Sequence, residues 1–429
     1  MDPVSVFPAL AALLLALGTC FVITRIFGSP LEAGRFASID GLRGYLALFV
    51  YLSHGCLWYF YLRSGLWVVP PSRLYTHMGQ SSVAMFFMIT AFLFFSKLLG
   101  LQNRRFDWTR LFISRLMRLG PLYFFAICLM LMIVLSLSHG LLQESLPLLA
   151  KHVVEWLAFC IVGGPDVNGV RNTVTITAGV TWSLQYEWAF YCALPILALC
   201  LQKRPPLQYV SLGLLTGLGF SYLHPNAYNL LAFAAGIGAA WLARSDLFCR
   251  FSSTRTASWI ILSSTCGAVI FYSTAQAAVP LLLLSLAFSL IACGNSLFGI
   301  LVHPVSRTLG QMAYSIYLLH GIALFVTFNF VVGLDSSRQL SSTVHWLFVM
   351  SVTPVLVAVC YSTFRIIEYP AMQSIDKMLS WFRFGSLRCD ATYHDTHRSA
   401  CGHSQESGAE EGHTLTVCTP PRTIGVDTF

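Results

Sequence analysis

The sequence predicts an all-α protein, a polytopic bundle of transmembrane helices. Of its 429 residues, 56% are hydrophobic and only 10% are charged, and the mean hydropathy is +0.68. A soluble domain carries roughly 25% charged residues. Only a lipid bilayer can cover so much apolar surface, so the composition excludes an ordinary soluble enzyme.

Eleven apolar segments have about the length of one membrane crossing, roughly 20 residues. We predict that ten of them form a core and that one is an extra span at the N-terminus. In chain order the segments are 4–23, 41–62, 81–100, 119–137, 182–201, 207–223, 228–243, 258–274, 279–294, 310–332 and 344–364.

The distribution of Lys and Arg predicts the orientation, because loops rich in these residues stay cytoplasmic. With the N-terminus outside and the C-terminus in the cytoplasm, almost all basic residues fall on the cytoplasmic side. The exceptions are Arg63, Arg73, Lys151, Arg171 and Arg338. The formal net charge of +8 therefore reflects membrane topology, and we expect no nucleic-acid partner.

The chain divides into three regions. Residues 1–38 form the extra N-terminal helix and a linker, and the absence of an early positive charge argues against a cleaved signal peptide. Residues 39–370 form the membrane domain. Residues 371–429 form a polar, mostly disordered cytoplasmic tail. The Cys and His residues of that tail match no zinc spacing, so we expect no metal.

The second apolar segment contains two ionisable residues, Arg43 and His54. Eleven residues of α-helix leave their side chains about 20° apart in azimuth and about 16 Å apart in height. Asp40 is a plausible N-cap, and Gly41 and Gly44 allow a backbone or a ligand to approach closely. A cation at the cytoplasmic end and an imidazole in the middle suit a long anionic substrate. The alternative is a topological anchor and a structural core histidine.

A second cluster of cations precedes the fourth segment. Its five arginines are Arg104, Arg105, Arg110, Arg115 and Arg118. Arg115 and Arg118 are three residues apart on one predicted helix and so point the same way. Two parallel guanidiniums match the oxygens of a phosphate. The alternative is a basic loop that contacts anionic lipid.

Glu187 is the only acidic residue inside its predicted span. It lies about 8 Å below the outer surface, and His54 lies about 12 Å below the same surface. A carboxylate beside an imidazole would orient it and raise its basicity, as a general base requires. The alternative is that Glu187 pairs with another polar group for structural reasons.

Several other polar residues are candidates to line the same cavity. They are Asp40, Trp182, Ser183, Tyr314, Ser315, Tyr317 and His320. Near the end of the last span, Arg365 and Glu368 are three residues apart. This spacing predicts a structural salt link on one helix face.

Six motifs in this order resemble those of acyltransferase family 3, a family of integral-membrane acyltransferases of the bacterial polysaccharide O-acetylase type. They are IDGLRGYLALFVYLSH, SSVAMFFMITAFLF, ISRLMRLGPLYF, TWSLQYEWAFY, MAYSIYLLHG and FRIIEYP, which run from residue 39 to residue 370. The first motif contains an Arg, ten further residues and a His, and the third contains Arg-x-x-Arg. Each motif alone is weak, whereas six in order are a strong signal.

The resemblance implies a core of ten spans. It implies that the protein lies in a cell membrane, namely a bacterial inner membrane. It also implies a cytoplasmic acyl-CoA donor, usually acetyl-CoA, and a hydroxyl acceptor on a surface polysaccharide or a lipid-linked glycan. His54 matches the catalytic histidine of the family, and Arg43, Arg115 and Arg118 match arginines of its donor site. The chain has no C-terminal SGNH esterase-like domain, so its activity should rest on the membrane domain alone.

Three points stay open at this stage. His54 could act as a general base or carry the acyl group covalently. The oligomeric state and the side from which the acceptor arrives are not determined. The rival function is a secondary transporter that uses Arg43, His54 and Glu187 as substrate or proton-relay groups.

Overall fold

A computed structural model describes residues 2–28, 36–101, 106–161, 163–223 and 225–381. Within these ranges the protein is helical and has no β-strand, which confirms the predicted all-α class. Arg104, Arg105 and the predicted tail beyond residue 381 lie outside the described residues.

Sixteen α-helices are found in the described ranges, with one 3₁₀ segment at Thr173–Thr177 and two π-helical turns at Thr327–Val331 and Phe364–Glu368. The helices are α1 Val6–Phe27, α2 Ala37–Ser64, α3 Arg73–Gly100, α4 Trp108–Leu137, α5 Leu146–Leu157, α6 Trp182–Cys200, α7 Leu207–Tyr222, α8 Ala227–Leu242, α9 Asp246–Ser252, α10 Arg255–Phe271, α11 Ala278–Ala292, α12 Pro304–Gln311, α13 Ala313–Val326, α14 Leu334–Gln339, α15 Ser342–Thr363 and α16 Tyr369–Gln373.

The described residues contain several helices that fit a multi-pass membrane protein. Six are long and apolar enough to cross a membrane: Val6–Phe27, Ala37–Ser64, Arg73–Gly100, Trp108–Leu137, Ala313–Val331 and Ser342–Trp381. The bent pair α8–α9, with an angle of 106°, makes a seventh if it counts as one span. Helices α7, α8, α10 and α11 have only 15 to 17 residues. Since 15 residues of helix reach only about 22 Å, against roughly 30 Å of hydrocarbon, length does not establish the predicted count of eleven.

Contacts between helix ends define one face of the bundle, which we call the N-terminal face. The Trp346 indole Nε1 donates to the Pro3 carbonyl at 3.0 Å, and the Tyr75 hydroxyl donates to the Ser5 carbonyl at 2.7 Å. The start of α1 therefore lies beside the starts of α3 and α15.

A second set of contacts defines the opposite face. The hydroxyls of Thr24 and Thr308 are 2.9 Å apart, which places the end of α1 beside α12. The Arg244 guanidinium donates to the Leu99 carbonyl at 3.0 Å, which places the end of α8 beside the end of α3. Helices α1, α2, α3 and α4 thus alternate in direction between the two faces.

Small residues hold α1 inside the bundle. Ala9, Ala12, Ala16 and Cys20 are buried along one stripe of this helix, and α1 packs against α15 and α12. Small side chains at this spacing let two helices approach closely in a membrane. The predicted extra helix is therefore an integral part of the bundle.

Glycines bring the backbone of α2 into direct contact with the backbone around α12. A Cβ atom on Gly41 would lie 1.9 Å from the Leu301 carbonyl oxygen, and one on Gly44 would lie 2.7 Å from the Gly310 nitrogen. A Cβ atom on Gly310 would lie 1.8 Å from the Asp40 carbonyl oxygen. The close approach predicted for Gly41 and Gly44 is confirmed, and its partner is another helix.

We predict that Gly310→Ala lowers the free energy of unfolding by at least about 1 kcal/mol, because the added methyl group must displace backbone atoms of α2. The matched control is Gly238→Ala on α8, where a Cβ atom would meet nothing within 4 Å. Thermal unfolding of the two purified variants in detergent measures the difference. Equal stability of both variants would contradict the tight contact.

Candidate functional site

A cavity of about 100 Å³ lies inside the bundle and is lined by residues of α2, α3, α4, α6, α12 and α13. Its lining includes Arg43 from α2, Arg115 and Arg118 from α4, and Glu187 from α6. The structure therefore brings the three arginines singled out from the sequence into one cavity, and both arginines of the Arg-x-x-Arg pair face it.

The arginines are only partly neutralised. Arg43 pairs with Asp40 at 3.4 Å across one turn of α2. Arg115 is buried, its guanidinium carbon lies 4.8 Å from the centre of the Phe94 ring, and its Nε has no hydrogen-bond partner among the described residues. Buried guanidinium groups with free donors are suited to a bound anion.

Glu187 belongs to this arginine cluster. Its carboxylate accepts a hydrogen bond from the Tyr191 hydroxyl at 3.0 Å, and Tyr191 in turn lies beside Arg115. The structure thus gives Glu187 partners other than the predicted one, His54. The predicted equal depth is wrong, because Glu187 lines the same cavity as Arg43, and His54 lies about 16 Å further along α2 than Arg43.

His54 has a histidine as its partner. The His320 Nε2 and His54 Nδ1 atoms are 3.0 Å apart, and the two rings are nearly parallel, with centroids 5.1 Å apart. Helix α13, which carries His320, begins beside the cavity that Arg43 lines. Both Arg43 and His54 therefore face the α12–α13 segment, as their shared face predicts.

The hydrogen bonds around His320 fix the tautomer of both rings. The His320 Nδ1 lies 2.9 Å from the Ile316 carbonyl, which can only accept, so this nitrogen carries the hydrogen. In the neutral ring the His320 Nε2 is then an acceptor, and His54 Nδ1 must donate to it. Among the described residues, the His54 Nε2 has no hydrogen-bond partner, so in this tautomer its lone pair is free.

Tyr317 separates the cavity from the histidine pair. Its hydroxyl donates to Ser183 Oγ at 2.8 Å and also lies 3.2 Å from the Val180 carbonyl. Its ring centroid lies 6.2 Å from that of His320. Tyr317 also lines the cavity. The cavity therefore ends one aromatic ring away from His320.

Three of the predicted lining residues do line the cavity: Ser183, Tyr314 and Tyr317. The Tyr314 hydroxyl donates to the Leu119 carbonyl at 2.9 Å, which ties α13 to α4. These side chains are held by hydrogen bonds and shape the walls of the cavity.

The other four predicted lining residues lie elsewhere in the structure. Asp40 is not the N-cap of α2, which begins earlier, at Ala37; it pairs with Arg43 within the first turn. Trp182 is 38% exposed and packs on Tyr186. Ser315 faces the C-terminal end of α15, and His320 faces His54.

The predicted salt link between Arg365 and Glu368 is wrong. Glu368 is buried and accepts a hydrogen bond from Ser315 Oγ, whereas Arg365 is exposed and stands over the Tyr369 ring. The spacing rule fails here because Phe364–Glu368 is a π-helical turn, which rotates residues three apart away from a common face.

Three features of the site were not predicted from the sequence, although one of them had a local signal. Tyr191 follows Glu187 by four residues, so helical spacing could have suggested their contact. The pairing of His320 with His54 joins helices far apart in the chain, and no local pattern reports such a contact. Trp67, whose ring is nearly parallel to the His54 ring at 6.1 Å, lies in a connecting segment and had no motif.

Comparison with known protein families finds one that matches most of the chain. Residues 36–365 match the model of acyltransferase family 3, described as an acyltransferase domain. Comparisons with curated proteins and with solved structures return no significant match. The match favours an enzyme over the transporter alternative. The chain belongs to acyltransferase family 3 and is a membrane acyltransferase that transfers groups other than aminoacyl groups.

Proposed function

We propose that this enzyme moves an acetyl group from cytoplasmic acetyl-CoA to a hydroxyl of a carbohydrate acceptor, such as a surface polysaccharide or a lipid-linked glycan. The observation that supports this proposal most is the 3.0 Å contact between His54 Nδ1 and His320 Nε2, from which the tautomer of His54 is inferred. Its Nδ1 hydrogen is held by His320, and its Nε2 lone pair is free to accept a proton.

The arginine cavity is suited to the phosphates of the donor. Arg43, Arg115 and Arg118 bring three positive charges to one space, which Glu187 and Asp40 only partly balance. The cavity lies among helix ends of the face opposite the N-terminal face. That opposite face carries most of the basic residues, so the positive-inside rule assigns it to the cytoplasm. We propose that Glu187, by balancing the arginines, keeps phosphate binding reversible.

The pantetheine arm of the donor then has to reach His54. The rise from Arg43 to His54 along α2 is about 16 Å, a length that such an arm can span. Tyr317 stands between the cavity and the histidine pair, so we propose that its side chain turns aside when the arm enters.

The proposed reaction transfers one proton and one acyl group. His54 Nε2 takes the proton of the acceptor hydroxyl while the oxygen attacks the thioester carbonyl. The tetrahedral intermediate expels the CoA thiolate, which takes the proton back from His54. Throughout the reaction, His320 Nε2 accepts a hydrogen bond from the His54 Nδ1–H group. This hydrogen bond stabilises the transient imidazolium of His54. In a covalent route the acyl group would sit on the same Nε2 atom.

We predict that Arg118→Ala weakens CoA binding about tenfold, or about 1.4 kcal/mol, because a phosphate loses one cation. The matched control is Arg110→Ala on the same helix, since Arg110 is exposed and pairs with Asp376 at 3.0 Å. Isothermal titration of CoA into each variant in nanodiscs measures the affinity. If both variants bind CoA with equal affinity, the CoA phosphates do not bind at Arg118.

We predict that His54→Ala reduces acetyl transfer at least about 100-fold, since the general base is lost. His320→Ala should lower kcat and leave the KM for acetyl-CoA unchanged, because His320 acts through His54. His320→Gln should retain more activity than His320→Ala, since the Gln amide oxygen can accept the Nδ1 hydrogen.

Stopped assays of CoA release with a glycan acceptor fraction measure these rates, and thermal unfolding confirms that each variant is folded. Wild-type kcat in His320→Ala would show that the histidine pair does not position the base. Full activity in His54→Ala would remove the proposed mechanism.

A further inference from the structure

Three aromatic residues form a cluster beside His54 on the side of the N-terminal face, and one of them, Trp67, contacts the His54 ring. We call Trp58, Tyr61 and Trp67 the aromatic cap. The Trp67 ring lies nearly parallel to the His54 ring, with centroids 6.1 Å apart. Trp58 and Tyr61 meet Trp67 edge to face, with centroids 5.6 Å and 5.0 Å from it.

The cap lies over the accessible part of the histidine pair. His320 is completely buried, whereas His54 and Trp67 are both partly exposed. His54 is therefore the accessible member of the histidine pair, and Trp67 is the partly exposed ring beside it. Trp67 belongs to the segment between α2 and α3, whose neighbouring side chains Leu66 and Val68 are 62% and 57% exposed. A reactant that approaches from the N-terminal face meets this segment first.

The cap contains a polar atom without a partner. Trp58 follows His54 by one helical turn and is 1% exposed, yet its Nε1 has no hydrogen-bond partner among the described residues. A buried donor that is left unpaired costs free energy, so such an atom in a native protein calls for an explanation. A bound polar group that reaches the Trp58 indole would supply the missing acceptor.

We propose that the aromatic cap is the acceptor subsite. The proposal rests on the proposed function and names where the acceptor binds. Trp67 takes the flat C–H face of a sugar ring, and the Trp58 Nε1 donates to an oxygen of the bound reactants. Aromatic walls with a few placed polar donors are typical of sites that bind small molecules. The acceptor is a pyranose-bearing alcohol that enters from the N-terminal face, whereas the donor enters from the opposite face.

The cap also has to keep water away from the thioester. If Trp67 is removed, water can replace the acceptor: it gives one proton to His54 Nε2 and its oxygen attacks the carbonyl. The products are then acetate and CoA thiol instead of a sugar ester and CoA thiol. Excluding water from such a site prevents this side reaction.

The first test measures how accessible His54 is. Diethyl pyrocarbonate is added to Trp67→Ala, Trp67→Phe and wild type in nanodiscs, and mass spectrometry quantifies the modified histidines. Trp67→Ala should increase labelling of His54 at least fivefold, and Trp67→Phe should stay close to wild type.

The control is Trp259→Ala, since Trp259 is 64% exposed on α10. Buried His345 is the reference for unfolding and should stay unlabelled. Equal His54 labelling in Trp67→Ala and Trp259→Ala would overturn the cap.

The second test measures the fate of the acetyl group. With acetyl-CoA alone, Trp67→Ala should release CoA at least fivefold faster than wild type or Trp259→Ala. With p-nitrophenyl β-D-glucopyranoside as the acceptor probe, its KM should rise at least tenfold in Trp67→Ala and less in Trp67→Phe. Hexan-1-ol is the matched alcohol without a sugar ring, and wild type should prefer the glucoside. No preference, or no transfer to the glucoside, would overturn the pyranose assignment.

The two tests separate the subsite from the reaction. If wild type turns over no acetyl-CoA, the proposed donor is wrong, and the labelling experiment still decides whether Trp67 covers His54. If wild type transfers acetyl groups but Trp67→Ala keeps the wild-type KM and hydrolysis rate, the reaction stands and the subsite is wrong.

Discussion

The backbone contact between α2 and α12 is the constraint on which the rest of the site depends. Gly41, Gly44 and Gly310 leave no room for a Cβ atom at this crossing. Because α13 follows α12 almost directly, the same contact sets the register of α13 against α2. Arg43 then faces the cavity at one height, and His54 meets His320 further along the same helix. Ridge and groove packing of larger side chains would hold the axes further apart.

The site contains polar groups that the fold leaves incompletely satisfied. Arg115 Nε and Trp58 Nε1 have no partner in the described part of the chain, and His54 Nε2 keeps its lone pair. Proteins satisfy most buried polar groups, and exceptions concentrate at functional sites. Arg115 Nε lies at the arginine cavity and Trp58 Nε1 in the aromatic cap, with the histidine pair between them, whereas two further unpaired atoms of the described residues, Trp188 Nε1 and His345 Nδ1, lie outside the site. The donor, the base and the proposed acceptor subsite follow that order.

The sequence predicted what depends on a single helix. The shared face of Arg43 and His54 and the common direction of Arg115 and Arg118 follow from helical periodicity, and the structure has both pairs as expected.

Contacts between helices were harder to predict. Depths counted along the chain suggested Glu187 for His54, but Glu187 lies at the level of Arg43 and joins the arginines. The π-helical turn at Phe364–Glu368 likewise changed which residues Glu368 could reach. The count of eleven spans stays a prediction, because helices of 15 to 17 residues are too short for length alone to identify a crossing.

The account depends most on the position of one hydrogen atom. Nitrogen-15 NMR of protein labelled at histidine distinguishes a protonated ring nitrogen from an unprotonated one, and subtraction of the His54→Ala spectrum assigns the signals of His54. At neutral pH we expect His54 to be protonated at Nδ1 and unprotonated at Nε2. A His54 protonated at Nε2 would contradict the account, because that nitrogen could no longer accept a proton from the acceptor.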